Sequence, residues 1–241
     1  MPPLAGYTPH WASSGPPAAR GYAGVAMYVR DGLRVDGDVR VSAGIGWPPG
    51  DAEGRSLTAH LPGGRPAVVT AYVPNAGVGL KRLAFRRAWD AAFCDHVAAV
   101  RTAAGGAGVV VVGDLNVAPD VRLDVWGGPA KGRVAGLTEE ERAGFAALLT
   151  LGGGGGRGGG GRRRQRGAAT HRRVPRAAAD RDGVYALELP RRVPPGGGGE
   201  GAQRGGWRLD YGLIDAGVWG RGGGTPTGCT RCRGRTTCRS L

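Results

Sequence analysis

Lysine is almost absent from this 241-residue chain: Lys81 and Lys131 are the only two, although lysine and arginine together number 33 against 19 acidic residues. The chain therefore carries a formal net charge of +14, nearly all of its basic residues being arginine, which favours a polyanionic partner such as nucleic acid through phosphate neutralisation. An arginine bias of this kind also follows from GC-rich codon usage. Long apolar runs are missing too, and no window approaches the roughly 20 residues that span a bilayer. The opening Met1-Pro2-Pro3-Leu4-Ala5-Gly6 has no basic segment followed by an apolar stretch, so a secretory signal is not expected and the chain reads as soluble and intracellular. Cysteine is sparse. Cys94 stands alone, and Cys229, Cys232 and Cys238 near the end form no disulfide framework for a domain of this size. Cys229 and Cys232 have zinc-ligand spacing, but no convincing fourth ligand is near, so free thiols are expected.

Glycine is abundant, at 49 residues, and much of it sits in the runs 152–156 and 158–161, which bury no apolar surface. With Arg162-Arg163-Arg164-Gln165-Arg166 they define a disordered Gly/Arg-rich insert over 152–205, within which only 183–189 reads as a strand. One domain is expected over 21–151 and 206–220, preceded by a loose arm over 1–20 and followed by an unstructured tail over 221–241.

Inside that domain the pattern is α/β. Strands are expected over 25–29, 57–61 and 68–73, with further extended chain over 33–45. Leu83, Phe85, Trp89, Phe93, Val97 and Val100 recur at helical spacing over 80–104, with Arg82, Arg86, Arg87 and Asp90 on other faces. Thr138-Glu139-Glu140-Glu141 resembles a capping box opening a helix over 139–149. The stretch Gly108-Val109-Val110-Val111-Val112-Gly113-Asp114-Leu115-Asn116 is a buried strand ending on a carboxylate and an amide. Burying Asp114 alone would cost several kcal/mol, so a cation, a hydrogen-bonded network or an open groove must accompany it. An Asx turn is the structural alternative.

Three segments end in polar groups: Tyr72-Val73-Pro74-Asn75-Ala76-Gly77, Gly113-Asp114-Leu115-Asn116 and Trp207-Arg208-Leu209-Asp210-Tyr211. Gly21-Tyr22-Ala23-Gly24-Val25-Ala26, Glu53-Gly54-Arg55 and Arg82-Leu83-Ala84-Phe85-Arg86 accompany them. In this order the chain closely resembles the exonuclease III type of apurinic/apyrimidinic endonuclease, in the endonuclease/exonuclease/phosphatase superfamily.

The resemblance implies a four-layered α/β sandwich, two mixed sheets flanked by helices, here incomplete and interrupted by the insert. It implies Mg²⁺- or Mn²⁺-dependent cleavage of double-stranded DNA on the 5′ side of an abasic site, by a monomer with no membrane association. By the same resemblance Asp114 orients or deprotonates water, or donates a proton. Asn116 holds the phosphate or approaches the metal, so Asp114 and Asn116 are the metal candidates. Tyr72 donates to the phosphate with Asn75 beside it, and Asp210 orients an imidazole. Trp207 lines the pocket for the flipped abasic sugar, and Tyr22, Arg55 and Arg82 join the substrate-binding set. The bland readings are a strand-ending tyrosine, a core tryptophan, and an Asp210 paired with Arg208 or Arg55.

The family's Gln-Glu metal strand and Ser-Asp-His triplet are not found in this sequence, which predicts weak or absent hydrolysis and an incomplete match at both ends. A non-catalytic nucleic-acid-binding protein using the Gly/Arg insert is the competing expectation. The repair role and the 162–166 basic run suggest the nucleus.

Overall fold

The computed structural model describes residues 4–125, 133–151, 184–187, 209–215 and 218. The expectations placed on most of the insert, on Trp207 and on the tail with its three cysteines lie outside the described residues. Within them, strands β3 (Arg40–Ala43), β4 (Ser56–His60), β5 (Ala67–Tyr72), β6 (Val109–Asp114), β7 (Val184–Leu187) and β8 (Asp210–Asp215) form a mixed sheet. Their order is β3-β4-β5-β6-β8-β7. Only β5 and β6 pair in parallel, and the helix α2 (Leu83–Ala103) joins them. The remaining pairs are antiparallel.

Helix α2 lies against the sheet together with α4 (Glu139–Thr150). Trp89, Phe93, Val97 and Val100 come from α2 and Phe145 and Leu148 from α4. They meet Val69, Ala71, Val109, Val111 and Leu213 of the sheet in one core. Trp89 and Phe93 stack at 4.6 Å between ring centroids. Removing such rings from water contributes about 2–3 kcal/mol each. The capping box of α4 is formed as expected, with Thr138 Oγ1 accepting from the Glu141 amide at 3.2 Å and Glu141 Oε2 accepting from the Thr138 amide at 3.1 Å. Two shorter helices, α1 (Pro48–Asp51) and α3 (Val121–Asp124), lie in connections.

Three expectations change. The loose arm over 1–20 is not loose at its centre: β1 (Tyr7–Ser13) pairs antiparallel with β2 (Gly24–Arg30), from Tyr7 opposite Arg30 to Ser13 opposite Gly24. Its inward residues Thr8, His10 and Ala12 alternate with outward Tyr7, Pro9 and Trp11, a period-two pattern that the surrounding Pro, Gly and Ala residues conceal. Pro9 is tolerated because β1 pairs on one side only. Secondly, the extended chain over 33–45 is shorter, because Asp31–Asp36 winds into a 3-10 turn before β3. The Thr8 hydroxyl bonds the Asp31 carboxylate there at 2.8 Å.

Thirdly, Arg86, expected on a face other than the apolar stripe, is 2% exposed and lies in the buried stripe with Trp89 and Phe93. Its guanidinium is satisfied internally, as set out below. The hairpin β1–β2 rests on the six-stranded sheet. Gly54 permits this approach, since a Cβ on it would stand 2.4 Å from the Ser13 carbonyl carbon.

Candidate active site

Register alone gathers the central residues. Tyr72 is the last residue of β5 and pairs with Asp114, the last of β6. Asp114 in turn pairs with Asp210, the first of β8. Three polar groups therefore stand side by side on adjacent strands at one rim of the sheet, where open α/β sheets present ligand sites. Gly113 makes the approach of β6 to β5 possible: its φ is +137°, and an added Cβ would lie 2.1 Å from the Ala71 carbonyl oxygen.

Asn116 takes a left-handed backbone, φ +48°, just beyond β6. Its amide N–H donates to Asp114 Oδ1 at 2.9 Å, and its side-chain Nδ2 donates to Asp114 Oδ2 at 3.2 Å and to the Val73 carbonyl at 2.9 Å. Asn75 Nδ2 donates to Asn116 Oδ1 at 3.0 Å, while Asn75 Oδ1 accepts from the Gly77 amide at 2.7 Å. The Asx-turn reading of this segment is thus correct, and it fixes the Asp114 carboxylate from both oxygens. Burial pushes the Asp114 carboxyl above the usual carboxylate range; the Asn116 amide bond opposes this, and neighbouring Asp210 adds to the rise.

Arg86 holds the two loops beyond β5 and β6 together. Its Nη1 donates to the carbonyls of Pro74 and Asn116, each at 3.0 Å, and its Nη2 to Leu115 at 3.0 Å. Nε meets both oxygens of Asp90 at 2.8 and 2.9 Å. The buried Tyr211 hydroxyl donates to the Val117 carbonyl at 3.0 Å, and the Leu115 amide to the Leu209 carbonyl at 2.7 Å, so β8 is tied to the same loop.

A second group lies against Tyr72. Arg55, only 3% exposed, donates from Nη1 to the Tyr72 carbonyl at 3.0 Å and sets its guanidinium 4.7 Å from the Tyr72 ring centre. Arg55 Nε and Arg82 Nη2 each bond one oxygen of Glu53, both at 2.5 Å. Arg82 Nη1 donates to the Tyr22 hydroxyl at 2.8 Å, and Tyr22 is exposed. The expected set Tyr22, Arg55, Arg82, Tyr72, Asn75, Asp114, Asn116 and Asp210 therefore converges as two linked groups. Arg55, like Asn116, is buried, and it supports Tyr72 from beneath. Arg86, Glu53 and Tyr211 were given no site role in the sequence. The i,i+4 spacing of Arg86 and Asp90 in line with Trp89 and Phe93 was the available signal for the first.

Asn116, the other metal candidate, has its amide oxygen accepting from Asn75 and its nitrogen donating to Val73 and Asp114. Among the described residues no group of three or more His, Cys, Asp or Glu side chains could hold a metal. Asp114 with Asp210 fits a hard cation that keeps most of its water, and does not fit an all-protein cage. Among the described residues Asp210 forms no ion pair, and the described His96 bonds Thr58 at 2.9 Å instead.

The mixed sheet covered by helices is an α/β fold that this chain shares with solved nuclease structures. In sequence, part of the chain is similar to curated DNA repair nucleases and exodeoxyribonucleases. It is 38% identical over 141 residues to the DNA repair nuclease APEX1 of Danio rerio, covering 58% of this chain and 42% of that protein. It is 37% identical over 145 residues to an exodeoxyribonuclease of Streptococcus pneumoniae, covering 60% and 50%. The crystal structure of the AP endonuclease LMAP from Leishmania major shares the fold, with a TM-score of 0.59 and 23% identity over 88% of this chain and 63% of that one. No protein-family model matches the chain. The chain spans half or less of the length of these two curated relatives.

Proposed function

We propose that this chain carries the strand-end part of a DNA repair endonuclease that cleaves the phosphodiester on the 5′ side of an abasic site in duplex DNA. The pairing of Tyr72, Asp114 and Asp210 on adjacent strands carries this reading. It sets a neutral donor and two carboxylates along one rim, the combination that phosphodiester hydrolysis requires. A bound Mg²⁺ or Mn²⁺, held by Asp114 and Asp210 and by substrate oxygens, would supply charge neutralisation at the phosphate.

The chain's own residues account for the remaining work. Tyr72 donates its hydroxyl proton in a hydrogen bond to a non-bridging phosphate oxygen, and Arg55 beneath its ring keeps it there. Asp114, with both oxygens oriented by Asn116, takes a proton from the attacking water. Arg82 and Tyr22 contact the backbone of the duplex. Asp210 is given to the cation in this reading, and turnover is expected to be slow because two carboxylates leave a hard ion mostly hydrated. Incision of an abasic duplex in Mg²⁺, compared with intact duplex and with Asp114→Ala, tests the reading. Incision confined to the abasic strand and lost in the variant supports it, and equal incision by Asp114→Ala removes the role.

A further inference from the structure

Glu53 lies outside the strand-end row, yet it joins that row to the exposed aromatic and basic residues beside it. Its side chain is 10% exposed and contacts two cations at once, Arg55 through Oε2 and Arg82 through Oε1. Each cation then holds a tyrosine. Arg55 supports Tyr72 by a hydrogen bond to its carbonyl and by the face of its ring. Arg82 holds Tyr22 by its hydroxyl at 2.8 Å, with its guanidinium carbon 5.6 Å from the ring centre. Arg82 is also set 4.4 Å from the Phe85 ring centre, which limits the directions its fork can take.

We propose that Glu53 is a positioning residue with two separable effects: it locks Tyr72 in place for reaction, and it restrains Arg82, muting one positive charge of the DNA-binding face. The proposal rests on the DNA reading above for its second effect and on geometry alone for its first. An uncompensated pair at positions 55 and 82 would attract phosphate more strongly and hold it less accurately. Glu53 gives up some attraction for the placement of both tyrosines.

The test uses the full chain with Glu53→Gln, Arg82→Gln and the double variant. Glu53→Gln keeps the shape of the side chain but removes its charge. DNA binding is measured over a series of salt concentrations, single-turnover incision at saturating enzyme, and amide hydrogen exchange over residues 72–75. Glu53→Gln is expected to bind duplex more tightly at low salt. The dependence of log affinity on log salt should steepen by about 0.9, the value for one further phosphate neutralised. Incision should fall by roughly ten- to a hundredfold in the same variant, since a misplacement of about 1 Å costs up to about a hundredfold. A change that merely damages the fold would lower both. Arg82→Gln should make the salt dependence shallower by a similar amount, and the double variant should return it near the parent value. Exchange at Tyr72 and Val73 should quicken in both proteins lacking the Glu53 charge.

Quickened exchange in a chain that neither binds nor incises DNA would support the lock on Tyr72 and overturn the DNA reading. Unchanged exchange over 72–75 together with an unchanged salt dependence in Glu53→Gln overturns the proposal. If Glu53→Gln does not fold, Arg82→Gln decides: an unaltered salt dependence in that variant contradicts the restraint.

Discussion

Replacing Arg86 by methionine removes the group on which the two site loops depend while keeping an unbranched side chain of similar reach. Three carbonyls, those of Pro74, Leu115 and Asn116, lose their guanidinium donor, each at 3.0 Å in the parent. Leaving a buried acceptor unsatisfied costs about 1–3 kcal/mol, and a carbonyl with a second partner sits at the low end of that range. Breaking a buried ion pair from one side costs about 3–5 kcal/mol. Here that figure is reduced, because Asp90 already has its pKa raised to about 6 and can accept a proton once Arg86 is gone. The loss should therefore come to about 4–6 kcal/mol, a large part of the roughly 5–15 kcal/mol that stabilises a domain.

Urea denaturation followed by tryptophan fluorescence, reporting on Trp89 in the same core, measures it. Arg86→Lys should recover less than half, since an ammonium on a shorter stem cannot reach the Asp90 carboxylate and three carbonyls in one plane. Arg86→Met with Asp90→Asn should be more stable than Arg86→Met alone above pH 6. A loss below about 1 kcal/mol for Arg86→Met would refute the view that the fork is structural.

The same Asp90 gives a stability dependence on pH. Burial raises its pKa from 3.8 to about 6, with the Arg86 guanidinium opposing that rise and Glu141 adding to it. The unfolded chain therefore releases this proton first as pH increases. The stability this group contributes is present below pH 4 and is lost as pH rises through about 6, by about 3 kcal/mol in total. The difference in unfolding free energy between parent and Asp90→Asn, followed from acid to neutral pH, should change by that amount and in that direction. Gly113→Ala should fail to fold or lose more than about 3 kcal/mol, since it combines a clash at 2.1 Å with a φ of +137°. Gly77→Ala, with nothing within 4 Å and φ +75°, should lose only about 1 kcal/mol by thermal melting. His96, whose pKa burial lowers, should favour the folded chain less as pH falls below 6.5, and His96→Gln should remove that part of the acid dependence.

The strands β5 and β6 and the helix between them were legible because their apolar periods are strong and unbroken, and because α4 opens on a capping box. β1 was not, since Pro9 and the Pro, Gly and Ala residues after Ser13 read as a loop when its hairpin partner is not considered. The site was legible as a list of residues and not as an arrangement. Nothing in the linear order says that Tyr72, Asp114 and Asp210 are successive neighbours across three strands, because that needs the parallel pairing of β5 with β6 and the return of β8. Arg55 is expected to bind substrate and Arg86 to lie off the apolar stripe, yet each is buried with donors used by carbonyls and carboxylates, which a hydropathy pattern does not register.

Single-turnover incision of a duplex with one abasic site, in Mg²⁺ and at enzyme excess, bears most directly on the central claim that the Tyr72, Asp114 and Asp210 row is a phosphodiester-cleaving site. The account predicts slow cleavage on the 5′ side of the lesion, abolished by Asp114→Ala and reduced by Tyr72→Phe. Cleavage indifferent to Asp114, or equal on intact duplex, would contradict it.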